Sequence, residues 1–163
     1  MCLPYQALAG VLYAIGVYDL KKLKSPFFSF VTLIDVQKAA KKFWDKYEKY
    51  VFDWARKENR ERYSVIISAS PDFLVKEIAK RIDIDDFICT VHDKKGKIIG
   101  NNCHDAEKVR LFKERYPVAK VINVFSDSIK NDVHIFSLGE KCFNTVKGKR
   151  IPFVFEEMYK KSK

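Results

Sequence analysis

The chain has 163 residues, enough for one ordinary domain with a real core, or a core with a small appendage, and too few for two full domains. With 47% hydrophobic and 14% aromatic residues and few Gly and Pro, the composition is that of a folded protein and excludes disorder and low complexity. The net charge of +10 invites an anionic partner, yet half of the excess lies in residues 141–163, where seven Lys or Arg stand against two acids with no Arg-rich block or base-stacking platform. That tail reads as a solvated basic face, and nucleic acid is not expected as a partner.

From Met1 to Tyr18 the chain carries no charge until Asp19 and the lysines that follow. The run is shorter than the roughly 20 apolar residues of a membrane span and contains Pro4, Gln6, Gly10 and Gly16, so a buried or interfacial helix is expected rather than a membrane anchor. No positive charge precedes it, as a secretory signal would require. The four cysteines, Cys2, Cys89, Cys103 and Cys142, are scattered without a CxxC pair, which fits reduced thiols in a cytoplasmic protein.

Residues 37–60 place Ala40, Phe43, Trp44, Tyr47, Val51, Trp54 and Ala55 at spacings of three and four, predicting one long amphipathic helix. From Tyr63 the period changes. "YSVIIS", "PDFLVKEIAKRI" and "DFICTV" read as strand, helix and strand. "HDKKGKIIGNN" then reads as a hairpin around Gly96, and "DAEKVRLFKERY", "AKVINVFS", "NDVHIFSLG" and "KCFNTV" resume the alternation. This is the pattern of an α/β fold, a Rossmann-like parallel sheet with crossover helices. The expected organisation is a helical segment over 1–60 and an α/β core over 61–163, with the charged stretch "RKENRER" as the seam.

Ligands of open parallel sheets collect at the carboxyl ends of the strands. "VIIS" carries Ser68 to such an end, and Pro71 suits the first turn of the helix that follows. "INVFSDS" carries Asp127 to another. A hydroxyl beside a helix N-terminus suits a phosphate, and a carboxylate leaving an apolar strand suits a hard divalent cation. Each residue also has a plainer reading, as helix cap, turn or solvated lysine.

"VIISASP", "CHDAEKVRLF" and "NVFSDSIKND" resemble, in order and placement, the second, third and fourth motifs of the haloacid dehalogenase-like phosphatases, in the helical-cap branch that includes phosphoserine phosphatase-like enzymes. The resemblance covers roughly residues 61–150, with 1–60 corresponding to the cap. It implies that Ser68, with backbone N–H groups near Ala69, holds a phosphoryl oxygen, and that Lys108 neutralises charge on the phosphoryl group. It implies further that Asp127 binds Mg²⁺ and that Asp132 orients the arrangement by hydrogen bonding. The expected substrate is a small phosphorylated metabolite such as phosphoserine. A membrane partner is not expected, and a homodimer is left open.

The family's first motif, an apolar strand ending in Asp-x-Asp whose first aspartate attacks phosphorus, has no counterpart. Asp19 is followed by Leu20 and Lys21, and Asp35 by Val36 and Gln37, while Asp83-x-Asp85 lies between a helix and a strand and reads as a turn. In this family that strand runs mid-sheet, between those ending at Ser68 and Asp127, so the core is expected to lack its central first strand. Either another segment fills the slot, or the flanking strands close up, or the chain is a fragment of a longer one starting upstream of Met1, the preferred expectation. The function expected is therefore a Mg²⁺-dependent phosphatase impaired in this chain. The alternatives are a non-catalytic phosphate- or metal-binding protein and, further off, a basic nucleic-acid-binding module.

Overall fold

The structure is a computed structural model and describes residues 34–156. The expectations placed on Met1–Tyr18, Asp19 and Cys2 fall outside those residues. The chain divides into two compact units, residues 1–103 and 104–163.

In the first unit, helix α1 (Val36–Tyr47) begins where Asp35 accepts the Lys38 N–H at 3.0 Å, as an N-cap does. The helix expected through residue 60 stops at Tyr47 and gives way to three 3₁₀ turns at Glu48–Tyr50, Asp53–Ala55 and Lys57–Asn59. The reason lies in side chains that take the carbonyls a continuing helix would use: Arg56 donates to Glu48 O, Asn59 to Asp53 O and Arg60 to Ala55 O. Strand β1 (Val65–Pro71) feeds helix α2 (Asp72–Arg81), which crosses over to β2 (Asp86–His92), parallel to β1. Val75, Ile78, Ala79 and Ile82 follow the spacing i, i+3, i+4, i+7, and all four are buried with Ile88 and Cys89 of β2. Pro71 takes the N-cap position of α2, one residue earlier than expected. β2 turns antiparallel into β3 (Ile98–Ile99) around Gly96, whose φ of 78° is the left-handed conformation such a turn demands.

In the second unit, helix α3 (Ala106–Arg115) precedes β4 (Val121–Ser126). A crossover containing only the short α4 (Val133–Phe136) leads to β5 (Gly139–Val146), parallel to β4. β5 returns antiparallel through Lys147 and Gly148, both at positive φ, into β6 (Lys149–Phe153). Part of the tail read as a solvated basic face is thus a β-hairpin. Phe112, Val124, Ile135, Phe136 and Cys142 form the core of this unit, with Phe136 meeting Phe153 edge to face at 4.9 Å.

Where a single parallel sheet was expected, the described residues form two sheets of three strands, ordered β1-β2-β3 and β4-β5-β6. β1 and β4, the strands expected to flank a central one, are each a terminal strand of their own sheet among the described residues. The opposite ends are built as edges: β3 has two residues, and β6 carries Lys149, Arg150 and Pro152. Neither 65–70 nor β4 carries a charge or a proline.

Candidate functional site

β4 is an apolar, β-branched run that ends at Ser126, and the turn beyond it carries the charged groups. Asp127 is exposed and makes no hydrogen bond or ion pair among the described residues. Asp132, at the N-cap position of α4, does not cap that helix with its carboxylate. Its Oδ1 accepts from Lys108 Nζ at 2.5 Å and its Oδ2 from Ser126 Oγ at 2.5 Å. Lys108 lies in the first turn of α3 and is buried, its side chain 11% exposed against 14% for Asp132. The plainer reading of Lys108 as a solvated helix lysine is therefore excluded. Beside this pair, His134 Nε2 lies 3.4 Å from Oδ1 of Asp105, which begins α3 at a φ of 53°.

Ser68 occupies the corresponding place in the first unit, near the carboxyl end of β1. The register with β2 slips between Ser68 and Pro71, a bulge formed by the two residues between them. Ser68 Oγ accepts the Ser70 N–H at 3.1 Å, while its own proton has no acceptor among the described residues. The fully buried Thr90 hydroxyl accepts the Cys103 N–H at 3.0 Å and has two acceptors within reach of its one proton, the Ala69 carbonyl at 3.2 Å and Asn102 Oδ1 at 3.1 Å. Ser126 repeats the device in the second unit: its Oγ accepts the Ser128 N–H, also at 3.1 Å.

The structure brings Lys108 and Asp132 together and leaves Asp127 open at the same strand end. Sequence reasoning missed Ser126 and Thr90. The spacing Ser-x-Ser in both "SAS" and "SDS" was the available signal for Ser126, whereas nothing local marks Thr90.

Of the competing carboxylates, those among the described residues have local roles. Asp83, at a φ of 50°, is the left-handed residue that ends α2, and the Ile84 N–H closes back on Ala79 O at 2.9 Å. Asp85 accepts the Ser64 N–H at 2.7 Å, a bond that holds its carboxyl below the usual carboxylate range. Asp83-x-Asp85 is a turn, as expected, and Asp35 is a helix cap. Two thiols are likewise unsuited to nucleophilic work: burial, with lesser effects from Asp72 and Cys103, pushes Cys89 up to about 12, and burial raises Cys142 as well. Among the described residues no group of three His, Cys, Asp or Glu side chains could hold a metal ion.

No match is found among curated proteins. A crystal structure of a protein with unknown function from Bordetella pertussis Tohama I superposes with a TM-score of 0.69 at 16% identity, over 83% of this chain and 70% of that one, a likeness that shows the fold alone. The sequence model of the haloacid dehalogenase-like hydrolases matches residues 2–137. A buried lysine held to an acidic turn at the end of a parallel strand is thus set within a match over most of the chain, and the chain belongs to the haloacid dehalogenase-like hydrolase family.

Proposed function

We propose that this chain has the phosphate-binding groups of a phosphomonoester hydrolase acting on a small phosphorylated metabolite such as phosphoserine. The observation that carries the reading is the buried Lys108 ammonium, tied to Asp132 beside the open carboxylate of Asp127. A positive group fixed at a strand end, without reorganising, stabilises charge on a transferring phosphoryl group. In the first unit, taken by itself, the Ser68 hydroxyl, whose proton has no acceptor among the described residues, is a candidate donor to a phosphoryl oxygen, with backbone N–H groups near Ala69.

Asp127 is the candidate Mg²⁺ ligand. Both Asp132 oxygens are engaged, so the described residues of this turn offer one free carboxylate. Mg²⁺ accepts that arrangement, since it commonly takes one or two carboxylates and fills the rest with water and substrate phosphate. When bound, it would offset negative charge on the phosphoryl group.

Lys108 and Asp132 bind and orient, but neither supplies a covalent step. Phosphate monoesters are among the slowest of reactants, with enzyme accelerations reaching ~10²¹. The sequence has no apolar run leading into Asp-x-Asp, so the chain as given is expected to show no appreciable turnover. Prepending such a strand is expected to generate phosphatase activity, measured as phosphate release over a panel of small phosphomonoesters including phosphoserine. If the complemented protein hydrolyses none of them yet binds phosphate, the second reading stands, a non-catalytic phosphate-binding protein. The lack of an apolar run leading into Asp-x-Asp favours that reading.

A further inference from the structure

We propose that Ser126 is a positioning residue: one hydroxyl sets both the aim of Lys108 and the turn that presents Asp127. The proposal takes the purpose of those groups from the phosphate-binding reading, but the hold itself stands on geometry within the second unit.

The carboxylate of Asp132 turns easily about its last torsion, which is broad for carboxylates. Two contacts stop it. Ser126 Oγ donates to Oδ2 at 2.5 Å, which leaves Oδ1 directed to Lys108 Nζ, also at 2.5 Å. The same Ser126 oxygen accepts the Ser128 N–H at 3.1 Å, so the hydroxyl is used as donor and acceptor at once. The Ser128 carbonyl in turn accepts the Asp132 N–H at 3.0 Å. Ser126, Ser128 and Asp132 therefore form a closed circuit of three hydrogen bonds, with the exposed Asp127 on the chain between the first two. Loss of the hydroxyl opens the circuit at two points. Ser68 offers the contrast: it makes the same bond to the N–H two residues on, but its proton is not spent on a carboxylate. The shared Ser-x-Ser spacing leaves the serine proton without an acceptor among the described residues in one unit and spends it on a carboxylate in the other.

The test is the exchange rate of the Lys108 ammonium protons, followed by ¹⁵N-resolved NMR of the full chain, with the signal assigned by its loss in Lys108→Arg. A slowly exchanging signal is expected in the unsubstituted protein and exchange about tenfold faster in Ser126→Ala, with recovery in Ser126→Thr, which restores the hydroxyl. Ser126→Cys keeps the volume but donates weakly, and it is expected to lose the slow exchange even if Ser126→Ala does not fold. A merely structural serine would leave the Lys108 signal unmoved in folded Ser126→Ala or Ser126→Cys, or unrestored in Ser126→Thr, and either result overturns the proposal. Titration with inorganic phosphate separates the two readings. An ammonium that responds to Ser126 in a protein that binds no phosphate upholds the positioning role and removes the phosphate reading. Phosphate binding with an indifferent ammonium does the reverse.

Discussion

Lys108 and Asp132 are mostly enclosed, and each is the other's charge partner. Pairs left in water contribute little, whereas removing one member of a buried pair strands a desolvated charge. Lys108→Ala is accordingly expected to cost about 2 kcal/mol in urea denaturation, between those limits. Asp85 gives a second prediction. Its lowered folded-state pKa means that it contributes stability above the ordinary carboxylate value of ~3.9, which is lost as pH falls through the depressed folded value. Asp85→Asn should therefore be less stable than the unsubstituted protein near neutrality, with the two melting temperatures converging below about pH 4. At this scale the sequence showed residue types well and partners poorly. Lys108, Asp127 and Asp132 stood out through resemblance, but Ser126 acquires its meaning only when the turn folds Asp132 back onto it.

The elements were legible where period and turn chemistry agreed. β1, α2 and β2 follow the alternation from Tyr63, and Gly96 closes the hairpin read around it. Residues 48–59 kept a helical spacing of apolar residues, but Arg56, Asn59 and Arg60 bond backbone carbonyls from the side, a competition that spacing does not register. β6 went unread because the lysine content of 141–163 obscured the Lys147-Gly148 turn. Gly139, at the start of β5, has a packing role. A Cβ there would lie 2.7 Å from Cγ2 and 3.2 Å from Cβ of the buried Val124, and 3.3 Å from the Lys141 carbonyl. Gly139→Ala is therefore expected to destabilise by about 1–3 kcal/mol in thermal or urea unfolding, through displacement of β4 and β5.

For the molecule as a whole, the α/β class and the family followed from motif order, whereas the described strands fall into two sheets where one was expected. The structure gives that division a chemical signature. β3 and β6 are made as edges, while residues 65–70 of β1 and all of β4, each strand terminal in its sheet among the described residues, carry no charge or proline. In the proposed function the turn after β4 grips a phosphoryl group together with Lys108. Calorimetric titration of the full chain with inorganic phosphate in the presence of Mg²⁺ tests it most directly. Saturable binding, weakened at least about tenfold in folded Lys108→Met, is the predicted result. Equal affinity in the two proteins, or no binding in either, would contradict it.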